Sequence, residues 1–110
     1  MILNDYDVVL TLVKYVDRDQ TTYRPALVIY FDGKEVGYYK ITSRYVDKSE
    51  YIKSRYFEIK NWLQAGLRKP SWIDTINYYQ ISENEVRLKV IGSLTLADRN
   101  RLEEFLAYLD

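Results

Sequence analysis

The chain has 110 residues, no histidine and no cysteine, and its 16 basic side chains are balanced by 16 acidic ones. This composition excludes histidine-based acid–base catalysis, thiol nucleophiles, disulfide scaffolds and Cys/His metal sites, and zero net charge provides no overall attraction for nucleic acid. No basic, signal-like N-terminus and no run near the roughly 18 apolar residues that span a bilayer are found, so we expect a single cytoplasmic, non-membrane domain over residues 1–110.

The first part of the chain has the patterns of three strands. Val8–Val16 is rich in β-branched residues, and after a polar loop at residues 18–22 the segment Pro25–Phe31 is a nearly unbroken apolar run. Such a run is typical of a strand buried on both faces, and proline is tolerated at its first position. Asp32-Gly33 is the strongest turn signal, so we expect a tight hairpin into a third strand over Val36–Thr42.

The second part of the chain predicts shorter strands and one helix, after a long polar connection. Thr95 and Asp98 have the spacing of a helix-capping box, and apolar residues then recur at helical spacing from Leu102 to Leu109. The predicted elements are a connection over Ser43–Ser54, strands over Tyr56–Ile59, Ser71–Ile81 and Val86–Ile91, a helical turn at Asn61–Ala65 ended by Gly66, and a turn over Ser82–Glu85. Together they predict a mainly β fold, a small, strongly curved antiparallel sheet or barrel with a C-terminal helix.

One arginine and one hydroxyl pair stand out against this predicted sheet. Arg24 lies at the mouth of the strand Pro25–Phe31, and Thr42-Ser43 lies at the end of the next strand. A guanidinium binds two phosphate oxygens without losing its charge, and hydroxyls can donate to the same group. The pair is therefore a candidate phosphate site. The alternatives are a surface ion pair for the arginine and simple turn chemistry for the hydroxyls.

Five short motifs are spread in order along most of the chain. They are Tyr6-Asp7-Val8-Val9-Leu10, Arg24-Pro25-Ala26-Leu27-Val28-Ile29, Ile41-Thr42-Ser43, Gly66-Leu67-Arg68-Lys69-Pro70-Ser71 with Ile81, and Ile91-Gly92-Ser93-Leu94 before the helix. On these motifs the chain resembles the MazF/PemK family of toxin endoribonucleases from bacterial toxin–antitoxin modules. The resemblance implies an SH3-like small barrel, a homodimer, cleavage of single-stranded RNA without metal or cofactor, and a cognate antitoxin that blocks the RNA groove.

The resemblance also implies roles for particular residues. Arg24 matches the catalytic arginine, to which we assign transition-state stabilisation, and Thr42 matches the catalytic threonine. The chain departs from the family where a Gly-Asp pair is replaced by Tyr6-Asp7, and where Ile76-Asn77 stands in place of an Asp-Gln pair. Asp74 lies two residues earlier, on the same strand face, and is the candidate acidic helper. With no histidine, a carboxylate or water must accept any proton that is removed.

Basic residues in the middle third of the chain predict a groove that follows the RNA backbone. Tyr45, Tyr51 or Tyr56 would stack on bases there, whereas Trp62 and Trp72 are assigned to the core or to a dimer interface. Scattered surface lysines are the alternative interpretation. The RNA-binding candidates are Ser43, Arg44, Lys53, Arg55, Lys69 and Ser71.

A second class of function stays open beside the nuclease. The same fold serves as a non-catalytic nucleic-acid-binding module, as a protein-binding toxin resembling the gyrase poison CcdB, or as an inactive toxin relative. Arg24 together with Thr42 favours the nuclease. The missing Asp-Gln pair and the zero net charge favour a binding module.

Overall fold

The computed structural model describes residues 2–14 and 21–109, and one antiparallel sheet of six strands forms its centre. Helix α1 (Glu50–Arg55) precedes the fourth strand, and helix α2 (Leu96–Leu109) follows the last. Neither helix has the length and apolar character needed to cross a bilayer. The strands are β1 (Asp7–Lys14), β2 (Thr21–Phe31), β3 (Glu35–Thr42), β4 (Tyr56–Ile59), β5 (Ser71–Ser82) and β6 (Leu88–Ser93), in the spatial order β4-β5-β3-β2-β1-β6.

The mainly β fold and the C-terminal helix are confirmed, and β3, β4 and β5 lie within one residue of the predicted bounds. The Asp32-Gly33 hairpin is also confirmed, because the Asp32 carboxylate accepts the backbone N–H groups of Lys34 and Glu35, at 2.9 and 2.8 Å. Strand β6 begins two residues later than predicted, after a turn of 3₁₀ helix at Glu83–Glu85. Strand β2 begins at Thr21, four residues earlier than predicted, so residues 21–22 belong to the strand and not to the predicted loop. The predicted continuation of β1 to Val16 and the rest of that loop lie outside the described residues.

Helix α1 lies where a connection without regular structure was predicted, so that prediction is wrong. Its start is capped by Ser49, whose hydroxyl oxygen accepts the backbone N–H of Ile52 at 3.3 Å. Glu50 in the first turn and Arg55 in the last complement the helix dipole. None of its residues is fully buried, so the segment has no apolar stripe that would have marked it as a helix.

The sheet buries apolar side chains on both faces. On the helix face, which α2 covers, Val8 and Leu27 join a core cluster that includes Leu102. On the opposite face, here called the cleft face, Val9 and Val28 join a second cluster near the β2–β3 hairpin. Successive residues of a strand point to opposite faces, so the unbroken apolar run of β2 serves both clusters, as predicted.

Helix α2 is fixed to the turn after β4 by a buried carboxylate. The Thr95 hydroxyl oxygen accepts the backbone N–H of Asp98 at 3.2 Å, which is half of the predicted capping box. The Asp98 carboxylate, only 1% exposed, does not turn back to Thr95 but accepts the backbone N–H of Asn61 at 2.9 Å and the Arg101 guanidinium at 2.7 Å. Asp98, in the first turn of α2, therefore also holds this helix against the turn after β4.

The two edge strands, β4 and β6, do not pair with each other, so the sheet is curved but not hydrogen-bonded into a closed barrel over the described ranges. The turn that follows β4 bridges the gap by direct backbone packing against β6. Gly66, at φ 93°, faces the Ile91 carbonyl, and Gly92 faces the Ala65 carbonyl. A Cβ atom on either glycine would overlap the carbonyl oxygen opposite it, so this contact needs glycine on both sides.

Candidate active site

A cleft of about 450 Å³ opens on the cleft face, at the end of the sheet away from the β2–β3 hairpin. Strands β1 to β5 all contribute to its wall, although they are far apart in the sequence. The three predicted catalytic residues therefore lie together in one depression. Its polar lining includes Thr11, Arg24, Lys40, Thr42, Tyr56 and Asp74.

Strand register explains why these side chains meet. Ala26 of β2 pairs with Lys40 of β3, and Lys40 in turn pairs with Asp74 of β5. Continuing the β2–β3 register by two residues places Arg24 opposite Thr42. Directly paired residues project from the same face with Cβ atoms about 4.5–5.5 Å apart. Arg24, Thr42, Lys40 and Asp74 are thus near neighbours on one surface.

The backbone around Arg24 and the hydroxyl of Thr42 are both held by local hydrogen bonds. The Thr11 hydroxyl donates to the Arg24 carbonyl at 3.0 Å. The Thr42 hydroxyl oxygen accepts the backbone N–H of Arg44 at 3.1 Å, which fixes its rotamer at the end of β3. A threonine hydroxyl that accepts one bond still carries a proton that it can donate. Thr42 can therefore donate to an anionic group in the cleft while remaining anchored.

Asp74 stands at the start of an irregular part of β5. Four residues of β5, 75–78, lie opposite the single residue Tyr39 of β3, between the pairs Lys40–Asp74 and Tyr38–Tyr79. The Asp74 carboxylate accepts the backbone N–H of Ile76 at 2.9 Å and so stabilises this bulge. An ionised carboxylate has further acceptor positions beyond one such bond. The bulge keeps Asp74 in the cleft while the following residues leave the ladder.

Two tyrosines in the cleft wall keep their protons more tightly than free tyrosine. Burial raises the pKa of Tyr56, and the negative charges of Asp74 and Asp47 raise it further. Burial also raises the pKa of Tyr38, against the opposing effect of Lys40. At neutral pH both phenols are hydrogen-bond donors rather than bases. The carboxylate of Asp74 is therefore the candidate proton acceptor among these groups.

An aromatic stack borders the cleft next to Thr42. Trp72 pairs with Thr42 in the β3–β5 ladder, and its ring stacks on Tyr45 with centroids 4.7 Å apart and planes 5° apart. Trp62 packs against the helix-face core, as predicted. Trp72 instead lies on the cleft face, where flat aromatic surfaces are suited to base stacking. Tyr51, the third predicted stacking residue besides Tyr45 and Tyr56, is exposed on α1.

Three of the predicted RNA-binding residues lie close to this stack or to Thr42. Ser43 and Arg44 directly follow β3 and are exposed. The Lys53 ammonium lies 5.3 Å from the centroid of the Tyr45 ring and 4.0 Å from a carboxylate oxygen of Glu50. These groups are placed where they can contact an extended ligand that leaves the cleft past Thr42.

The other three predicted RNA-binding residues, Arg55, Ser71 and Lys69, have different surroundings. The Arg55 guanidinium donates to the Thr75 carbonyl at 3.5 Å, and its Nε is buried without a hydrogen-bond partner, so it braces the β5 bulge. Ser71 is 5% exposed, and its hydroxyl donates to the Lys69 carbonyl at 2.8 Å. The Lys69 side chain is exposed in the loop before β5. None of the three is part of the cleft wall.

Sequence reasoning missed Lys40, Tyr38 and Thr11. The alternation of β3 carries a signal for the first two, because Tyr38, Lys40 and Thr42 occupy every second position and so share a face. Thr11 is visible only once the β1–β2 register is known, where it pairs with Arg24. No group of three or more acidic side chains that could hold a metal ion occurs in the described part of the chain.

Comparison with models of protein families finds no match for the chain, and comparison with curated proteins finds none either. The functional assignment therefore depends on the residues of the cleft and on the sequence motifs that carry them.

Proposed function

We propose that the chain is an endoribonuclease of the MazF/PemK type, which cuts single-stranded RNA without a metal ion and acts as the cytoplasmic toxin of a bacterial type II toxin–antitoxin module. The observation that carries this proposal is the convergence of Arg24, Thr42 and Asp74 in one cleft, from three different strands. A homodimer and a cognate antitoxin that covers the cleft belong to the same proposal.

The backbone of Tyr6 also supports the proposal. Tyr6 has φ 70°, in the left-handed region where glycine is favoured and tyrosine is uncommon. The resemblance places the family's glycine at this position. The backbone at this position thus has a conformation that suits glycine, although the residue is tyrosine.

The proposed reaction uses the nucleophile that RNA itself carries. The 2′-hydroxyl oxygen attacks the adjacent phosphorus while the bond from phosphorus to the 5′-oxygen breaks, leaving a 2′,3′-cyclic phosphate and a 5′-hydroxyl. Asp74 accepts the proton of the 2′-hydroxyl, and the leaving 5′-oxygen takes a proton from water. Arg24 stabilises the charge that develops on the phosphoryl oxygens, and Thr42 donates a hydrogen bond to the same group. DNA lacks the 2′-hydroxyl and is not a substrate.

The decisive experiment is to incubate the purified protein with a long single-stranded RNA in EDTA. We expect discrete cuts with 5′-hydroxyl ends. Arg24→Ala should lower the rate on the order of 10²–10³-fold, since one preorganised donor to the developing charge is lost. Arg87→Ala is the matched control, because Arg87 is exposed and is not part of the cleft wall. Intact RNA with the wild-type protein, or equal rates for the two variants, would contradict the proposal.

A second experiment tests the biological role. Induced expression of the chain in bacteria should stop growth, and the Arg24→Ala variant should not. Harmless accumulation of folded wild-type protein would count against a toxin.

A non-catalytic nucleic-acid-binding module is the second candidate, and one observation favours it. Thr42 and Asp74 each accept a backbone N–H close by in sequence, as residues in ordinary turns and bulges do. Tight binding to intact RNA that Arg24→Ala weakens, with no cutting by either protein, is the result that this function predicts.

A further inference from the structure

Lys40 occupies the middle of the residue group in the cleft, between β2 and β5. It pairs with Ala26 on one side and with Asp74 on the other, and it lies two residues before Thr42 on the same face of β3. Its side chain is exposed and lines the cleft. Neither the motifs nor the basic cluster in the sequence assigns it a role.

An aromatic ring holds the ammonium group of Lys40 in position. The Lys40 Nζ atom lies 4.6 Å from the centroid of the Tyr79 ring, and Tyr79 itself stacks on Tyr38 with centroids 5.4 Å apart. A cation over the face of such a ring is attracted by the negative charge density there. This contact limits the positions that the flexible lysine side chain can take, without neutralising its charge.

Asp74 forms no ion pair with Lys40, although the two residues are directly opposite each other in the part of the sheet that the structure describes. In the described ranges the carboxylates of Glu50 and Asp98 form ion pairs, with Lys53 and Arg101, but no ion pair joins Lys40 to Asp74. The cleft therefore presents a lysine charge that an anion from outside can approach.

Arg24 and Lys40 are diagonal neighbours across β2 and β3, a relation in which the two residues lie about 7–8 Å apart and their Cβ atoms somewhat closer. Both side chains are long enough to reach one phosphate from two sides. A phosphodiester carries one negative charge, and attack by the 2′-oxygen builds a second on the phosphoryl oxygens. One guanidinium matches the first charge, and a second cation stabilises the charge that appears only during reaction.

We propose that Lys40 is a further catalytic residue, which contacts the scissile phosphate on the side opposite Arg24. This inference rests on the proposed nuclease function. As the bond from the 2′-oxygen to phosphorus forms and the bond to the 5′-oxygen breaks, the 2′-hydroxyl proton passes to Asp74. The leaving 5′-oxygen takes a proton from water. Lys40 keeps its own proton throughout and acts only through its charge.

The test compares Lys40→Gln with Lys34→Gln, which removes the same charge from the exposed hairpin turn outside the cleft. Lys40→Gln should lower kcat roughly 10- to 100-fold with a smaller change in KM, because the contact strengthens in the transition state. Lys40→Arg, which keeps the charge, should recover part of the rate. Lys34→Gln should match the wild type.

Binding to a 2′-O-methyl RNA of the same sequence, which cannot be cut, provides a readout independent of chemistry. The slope of log K against log salt is negative, and its magnitude should decrease by about 0.7 in Lys40→Gln, the value for one lost phosphate contact to a single strand. Equal slopes and rates for Lys40→Gln and Lys34→Gln would overturn the role of Lys40. If the wild-type protein cuts no RNA, the nuclease proposal and the catalytic role both fail. A reduced slope would then still assign Lys40 to phosphate binding, and an unchanged slope would remove that as well.

Discussion

The helix face and the cleft face of the sheet are built from the same strands but have opposite chemistry. On the helix face, Val8 and Leu27 pack under Leu102 of α2, and all three are fully buried. On the cleft face, apolar packing near the hairpin gives way toward the other end to Arg24 and Lys40. Because successive strand residues point to opposite faces, one set of residues packs under α2, and the alternate set forms both the second apolar cluster and the charged cleft. Substitutions on the two faces should therefore have separable effects.

The largest expected effect is a loss of stability when a buried side chain of the helix face is removed. Leu102→Ala removes a side chain that is 0% exposed in the core cluster beneath α2. We expect the free energy of unfolding to fall by about 2–5 kcal/mol, from lost burial and the cavity that remains. Urea denaturation measures this loss.

Leu96→Ala on the same helix is the matched control, because Leu96 is 71% exposed and its loss should change stability by less than about 0.5 kcal/mol. RNA cutting per folded molecule should be unchanged in both variants. A large loss of activity in folded Leu102→Ala would show that the two faces are coupled.

A smaller effect is expected from removing one hydroxyl on the cleft face. Thr42→Val keeps the shape of the side chain but loses the proton that it can donate to a phosphate. Cutting should slow roughly 10- to 100-fold, the size of one hydrogen bond to a charged group, while the thermal midpoint changes little. Ser43→Ala tests the neighbouring hydroxyl, which is exposed and outside the cleft wall, and it should slow cutting much less. Equal losses in the two variants would indicate general RNA contact instead of a catalytic hydroxyl.

The smallest effect should appear only at high pH, and on the helix face. The pKa of Tyr6 is raised from 10.0 to about 12 by burial and by the hydroxyl's hydrogen bond to Glu103. The unfolded chain therefore loses this proton near pH 10, whereas the folded protein keeps it to about pH 12, so stability falls as pH rises through that window. Below pH 10 this group causes no pH dependence.

Urea midpoints between pH 8 and pH 12 measure the fall. In Tyr6→Phe it should be shallower, and the difference isolates Tyr6 because the other tyrosines titrate in both proteins. Parallel curves would mean that Tyr6 ionises alike in the folded and unfolded chains.

Local chemistry explains which parts of the fold could be predicted from sequence. The Asp32-Gly33 turn, the apolar run of β2 and the spacing of the α2 leucines each depend on residues close together in the chain. Helix α1 could not be predicted in the same way, because it buries no residue and only Ser49 marks its start. The curved sheet was predicted, but the backbone packing of Gly66 on β6 depends on segments that meet only in the folded chain.

Some of the residues that line the cleft could be predicted from the sequence, but the rest of the lining and the geometry of the cleft could not. Motif resemblance and strand alternation predict Arg24, Thr42 and Asp74 as site residues, and all three line one cleft. Lys40 could not be predicted in this way, because its importance follows from pairing with Asp74, which lies 34 positions later in the sequence. No local pattern states that four residues of β5 would face one residue of β3 and so set this pairing.

The bulge in β5 is a place where the length of the chain beside the cleft can change with little disturbance of the sheet. Residues 75–78 lie between two separately paired segments of β5, one on each side. Adding or removing a residue within the bulge would leave both flanking ladders in register. The same change between Lys40 and Thr42 would turn one of these side chains to the other face. The contour of the surface beside Asp74 can thus change with the length of this segment, while Lys40 and Thr42 keep their places in β3.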